Sequence, residues 1–475
     1  MFTHLLKVTA LLVLLTCTNN ATAKQYTVSS PDEKITFSVS DESGQLRYTV
    51  SYEGQTVIQP SVLGLRFSDQ HGFDADLSIT EQQVNSVDTS WEQPWGERTV
   101  IRDYHNELSL RVERDQPNLH LNLRVRAFND GVGFRYEVPK QRSLANVAIT
   151  EELTEFNMDE QADAWWIPAR KWNRYEYLYN KTKVDDMEMA HTPVTMRLPN
   201  SIHVSIHEAA LINYSGMSIE HRRGPNLVAN LAPRADGALV RTQTPFKSPW
   251  RTIQIAANAV GLVNSDLILN LNEPNKLGDV SWFKPTKYVG IWWQQHIRDR
   301  TWGSDGIHAA TTEETKRFMN FAQKHGFGGV LVEGWNIGWD GDWYNNGDVF
   351  SFTETYDDFD MQAVADHARK TGVPLIGHHE TSGNLINYEA QIDDAFAYYN
   401  KHGVEVVKTG YVADAGQLKF KDDKGITRYE FHDSQANVEH HIRVLEKAAS
   451  QKIAINTHEP VKDTGLRRTY PNWVT

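Results

Sequence analysis

Gly329-Val330-Leu331-Val332-Glu333-Gly334-Trp335-Asn336 begins as an apolar run and ends on a carboxylate, a tryptophan and an amide. The run from Gly329 to Glu333 reads as a short buried strand. A helical pattern precedes it from Thr312 to His325, opened by Thr311-Thr312-Glu313-Glu314 as an N-cap and closed by Gly326. The same alternation recurs: strands at Tyr288–Trp293, Pro374–Gly377, Val404–Val407 and Lys452–Ile455, and a further helix over Asp360–Thr371. Strands joined by helical crossovers make a parallel α/β sheet, either a (β/α) barrel or a doubly wound sheet. About five strands are legible, against the eight of a closed barrel.

Upstream the periodicity is different. Leu119-His120-Leu121-Asn122-Leu123-Arg124-Val125-Arg126-Ala127-Phe128 alternates with period two and stops at Asn129-Asp130-Gly131. Similar runs at Lys34–Val39, Gln45–Tyr52, Thr99–Ile101, Ile202–His207 and Arg251–Ala256 predict a large antiparallel β-sandwich over 24–272. Residues 273–286 read as a linker, and 287–475 as the α/β part. At the start, Lys7 precedes an apolar run from Val8 to Thr16 that is too short to span a bilayer, and Ala21-Thr22-Ala23 is a small-x-small cleavage pattern. Residues 1–23 are therefore expected to be a signal peptide, and the protein to be exported, to the periplasm. A lipoprotein acylated at Cys17 is the less favoured reading. Cys17 is the single cysteine, so thiol catalysis and Cys-ligated metals are excluded from the rest of the chain. No later run predicts a transmembrane segment.

With 475 residues, 48 Lys+Arg and 61 Asp+Glu, the chain carries a formal net charge of −13 without a basic run. That balance argues against a nucleic-acid partner. The excess is aromatic: 14 Trp, 18 Tyr and 18 Phe, most of them core packing but a pool from which sugar-stacking faces are drawn.

The chemistry gathers just past the strand ends: Glu333-Gly334-Trp335-Asn336, His378-His379-Glu380, Lys408-Thr409-Gly410 and Asn456-Thr457-His458-Glu459. In a barrel these ends converge on the face that carries active sites. Two glutamates on neighbouring elements suit glycoside hydrolysis, in which one carboxyl acts as acid and another activates water or attacks carbon. Oxygen ligands without cysteine favour calcium over zinc. One of His378 and His379 is open to a purely structural role in the core. Glu313-Glu314 and Asp422-Asp423 read as solvated charges.

Longer motifs carry a resemblance: Trp91-Glu92-Gln93-Pro94-Trp95-Gly96-Glu97, Phe128 to Glu137, Val330 to Asn336, His378-His379-Glu380-Thr381-Ser382, His458-Glu459-Pro460 and Arg468-Thr469-Tyr470-Pro471-Asn472. In these the chain resembles glycoside hydrolase family 97, exported bacterial α-glucosidases and α-galactosidases. The resemblance implies an N-terminal β-super-sandwich, a catalytic (β/α)₈ TIM-type barrel and a C-terminal β-domain. It also implies that Glu380 and Glu459 act as general base on the attacking water. His378, Lys408 and His458 are implied to bind the sugar of an oligosaccharide substrate. Glu459 and Glu176, in Asn173-Arg174-Tyr175-Glu176-Tyr177, are implied as ligands of a required Ca²⁺.

Retaining members of the family place a nucleophilic Asp where this chain has Gly410, so the resemblance is to the inverting α-glucosidase branch, which cleaves malto-oligosaccharides from the non-reducing end. The family's general acid and next calcium ligand fall beyond Thr475. The reading therefore expects an incomplete copy of a longer enzyme, with about five of the eight barrel strands and no C-terminal domain. A retaining α-galactosidase, and a non-catalytic sugar-binding protein or inactive fragment, are the alternatives.

Overall fold

The computed structural model describes residues 24–68, 71–171 and 175–474. The expected signal peptide with Cys17, and Asn173 and Arg174 of the Glu176 motif, lie outside the described residues.

The first half is β-rich. Leu119–Phe128 is a strand over the stretch its alternation marks, every second side chain buried, between Val100–Arg114 and Gly131–Val138. These three belong to a ten-stranded antiparallel sheet that continues through Trp250–Ala256 and His203–Ala209. A four-stranded meander from Tyr26 to Val62 and two three-stranded sheets complete the layers. Between them lies one large apolar cluster, including Phe37, Tyr48, Leu121, Phe134 and Ile253, each fully buried. Val438 and Val461, from the second half, pack into the same cluster, so the two halves share a core.

The second half is a five-stranded parallel sheet in sequence order: β1 (Val289–Gly290), β2 (Val330–Leu331), β3 (Leu375–Glu380), β4 (Val406–Gly410) and β5 (Ala454–Thr457). The crossovers carry α1 (Thr312–His325), α2 (Met361–Thr371), α3 (Leu385–Lys401) and α4 (Gln435–Ser450). The Thr311 hydroxyl caps α1 by accepting the Glu314 N–H, and Gly326 ends it at φ +73°. Asp360 caps α2 in the same way through Ala363.

Two expectations change. Tyr288–Trp293 does not extend as a strand: it pairs only over Val289–Gly290, and Trp292–His296 turns into a short helix. Trp292 and His296 stack one helical turn apart, with ring centroids 3.7 Å from each other, a contact a strand could not make. Strands β3 and β4 run further than their apolar cores, so Glu380 and Lys408 lie within strands rather than past them.

A buried ion cluster ties the halves together. The Arg251 guanidinium donates to both Glu152 oxygens (2.7 Å each) and to Glu208 Oε2 (2.6 Å), with all three side chains fully buried. Lys462, from the segment after β5, sits 2.9 Å from the other Glu208 oxygen and donates to Thr192 Oγ1 (2.9 Å) and to the Met217 carbonyl. Burial alone would raise the Glu208 pKa, but Lys462 and Arg251 together hold it below the ordinary carboxylate value. Two anions and two cations leave the cluster neutral, and it is stable only as a complete set. Replacing Arg251 by Met strands two carboxylates in the core against one lysine. This variant should lose about 3–5 kcal/mol in denaturant unfolding, and an unchanged midpoint would contradict this account of the core.

Candidate active site

Alternation along β3 divides its polar end between two faces. His378 and Glu380 point to one side; His379 points to the other, where it stacks on Tyr399 (4.9 Å), packs against Phe352 and Phe396, and bonds the Tyr388 hydroxyl (3.1 Å). His379 is thus a core residue, while His378 lies on the same face of the strand as Glu380. Gly377 lets the Tyr399 ring lie against the strand, since a Cβ there would come within 2.4 Å of it. The Tyr399 hydroxyl accepts from the His378 N–H (2.8 Å) and donates to its carbonyl (3.1 Å), while the Trp335 indole donates to the same carbonyl (3.1 Å). Trp339 stacks on the His378 ring at 5.7 Å. Burial first, then the Lys408 charge, hold His378 well below its ordinary pKa, so the ring is neutral. Among the described residues its Nδ1 is buried without a partner, and it offers a hydrogen-bonding position.

Lys408 on β4 pairs with Glu333, 2.6 Å away, both less than a tenth exposed. Glu333 was visible in the sequence as a strand-end carboxylate, but nothing in its neighbours named Lys408 as its partner. His458 follows β5 and donates its backbone N–H to the Thr409 carbonyl (2.7 Å). Its outer edge is exposed, yet crowding that strips water from the rest of the ring, and then Lys408, lower its pKa to about 4.

The two carboxylates meet at the turn after β4. Glu380 Oε1 accepts from the Ser382 N–H (2.8 Å) and the Val412 N–H (3.2 Å); Glu459 Oε2 accepts from the Tyr411 N–H (3.0 Å). Ser382 and Glu459 hold left-handed backbone, φ +45° and +48°, an unfavourable conformation for side-chain-bearing residues and a common one at functional sites. Burial first, then the Glu459 charge, raise the Glu380 pKa from 4.5 to about 8. Gly410 lies against this pair: a Cβ at that position would be 2.0 Å from Glu380 Oε2.

Glu176 belongs to a segment of the first half that meets the second. Its neighbour Tyr175 is tied to the second half, donating to Asp433 Oδ1 (2.8 Å) and accepting the Lys462 N–H (2.9 Å), but Glu176 itself is exposed. Among the described residues no three His, Cys, Asp or Glu side chains converge as a metal-ligand group. Carboxylate oxygens suit calcium, whose shell of about six to eight oxygens also takes carbonyls and water, so two carboxylates would supply part of it.

Residues 28–274 match the glycosyl-hydrolase 97 N-terminal family and residues 292–475 the glycoside hydrolase 97 family. A glycoside hydrolase family 97 enzyme from Pseudoalteromonas sp. strain K8, solved with acarbose, is 55% identical and superposes with a TM-score of 0.93 over 94% of this chain and 68% of that one. A single-residue variant of that enzyme has been solved with panose. A retaining α-galactosidase of Bacteroides thetaiotaomicron is 23% identical over 98% of this chain and 69% of that protein. A β-arabinopyranosidase at 21% identity and a TM-score of 0.75 shares the fold.

The folded state raises the Glu380 pKa, so it favours the protonated form. The group's full contribution to stability is present below about pH 4.5 and is lost as pH rises through about 8. Glu380→Gln, which cannot ionise, should match the parent protein near pH 4.5 and exceed its thermal stability above pH 8. A loss of equal size at both pH values would contradict the buried-carboxylate reading. The family matches along both halves and the close structural agreement lead to one conclusion: this chain belongs to glycoside hydrolase family 97 and is a glycoside hydrolase acting on α-glycosides.

Proposed function

We propose that the protein hydrolyses α-glucosidic bonds of malto-oligosaccharides from the non-reducing end, with inversion. The observation that carries this reading is Gly410. A retaining mechanism needs a nucleophile on the sugar's far face, and at this position even a methyl group would collide with Glu380. Glu380 and Glu459 remain as an adjacent carboxylate pair in which burial first, and the Glu459 charge second, make Glu380 more basic than an isolated carboxylate. In the doubly ionised state that pair takes the proton of the attacking water. His378 Nδ1, the Lys408–Glu333 pair and His458 are the groups we assign to the hydroxyls of the bound sugar. The glucoside reading draws on the Pseudoalteromonas enzyme, whose complexes with acarbose and panose concern α-linked glucose oligosaccharides and their mimics. The galactosidase reading draws on the more distant Bacteroides relative.

Calcium belongs to the proposal as a bound ion to which Glu176 and Glu459 contribute oxygens, and export by residues 1–23 belongs to it as the location of the activity. Proton NMR of the first-formed sugar tests the chemistry: β-glucose released from an α-glucoside is expected. The α-anomer, or turnover of α-galactosides in preference, would overturn the reading. Glu459→Gln and Glu380→Gln should each lower kcat by about 10² to 10⁴-fold, and metal chelation should abolish turnover.

A further inference from the structure

We infer that Tyr411, held by His440 and Glu389, is a positioning residue that sets the two carboxylates against each other. This rests on the reading of Glu380 and Glu459 as the base pair.

One carboxylate ends strand β3 and the other stands on the loop after β5, and what they share is three residues of backbone. Gly410, Tyr411 and Val412 form the exit of β4, where the Tyr411 N–H holds Glu459 and the Val412 N–H holds Glu380. Their separation is therefore set by how firmly this turn is held. The Gly410 carbonyl accepts from the Thr381 N–H (3.0 Å) and hydroxyl (2.8 Å). The Tyr411 carbonyl accepts from His432 Nε2 (3.0 Å). The Tyr411 side chain drops away from the site into the space between α3 and α4, where its hydroxyl lies 3.0 Å from His440 Nε2 and its ring is fully buried.

The hydrogen bonds have a fixed direction. Glu389 on α3 can only accept, so His440 Nδ1, 2.6 Å from Glu389 Oε1, carries the proton. Burial keeps the His440 ring neutral. Nε2 therefore accepts, and the Tyr411 hydroxyl donates. Arg443 donates to the same Glu389 oxygen (2.5 Å), which fixes the carboxylate from the solvent side. The chain Arg443–Glu389–His440–Tyr411 thus runs from the surface to the amides that hold both carboxylates.

Tyr411→Phe deletes the anchor and keeps the ring. A displaced base costs rate rather than binding, so kcat should fall by about ten- to a hundredfold while KM for an α-glucoside and the thermal midpoint stay near the parent values. Glu389→Gln, acting through the same histidine, should do likewise, and the double variant should be no worse than the poorer single one. An unchanged kcat, a rise in KM with kcat kept, or losses that multiply would overturn the inference. If the parent chain does not turn over α-glucosides, the function fails separately. Amide hydrogen exchange over 410–412 then decides: faster exchange in Tyr411→Phe upholds the positioning role, and an unchanged rate refutes it.

Discussion

Four charges buried together govern how the two halves of this molecule meet. Glu152, Glu208 and Arg251 belong to the β-rich half, and Lys462 comes from the segment that follows β5. Stripping water from such groups costs several kcal/mol per ion, so each is tolerable only while the others are in place. The consequence is geometric. Lys462 stands three residues after Glu459, and its ammonium is fixed by Glu208, Thr192 and the Met217 carbonyl, all from the β-rich half. Its N–H is fixed by the Tyr175 hydroxyl, from that half as well. A catalytic-face loop of the α/β half is thereby held by the other half's core.

That arrangement lets the β-rich half hold a residue of the candidate site. Glu380 is placed by its strand and by two amides. Glu459 stands on a loop with left-handed backbone, and such a conformation persists only where surrounding contacts impose it. Here they come from the Tyr411 N–H on one side and the Lys462 anchor on the other. The raised Glu380 pKa is the electrostatic result of holding the two carboxylates close in a site short of water.

Periodicity was enough to mark the elements that depend on local pattern. The alternation of Leu119–Phe128 and the capped helix Thr312–His325 survive in the structure over the residues that display them. The candidate site residues stood out in the sequence because they cluster after apolar strand cores, although the strands run on through Glu380 and Lys408. The Tyr288–Trp293 stretch was misread because a short apolar aromatic run suits a strand and a helical turn equally. Nothing local marks Glu152, Glu208, Arg251 and Lys462 as partners: they are separated by up to about three hundred residues, and each alone reads as a surface charge. The Glu333–Lys408 pair and the close approach of Glu380 to Gly410 are equally contacts between segments far apart in sequence.

The central claim is that the β-rich core holds the Glu459 loop through Lys462. Amide hydrogen exchange of Lys462→Met against the parent chain tests it directly, because the substitution keeps the length of the side chain and removes its charge. Faster exchange across 457–464, with the strand Leu119–Phe128 as protected as before, is the predicted result. Unchanged protection across 457–464 would contradict it and would leave the placement of Glu459 to the α/β half alone.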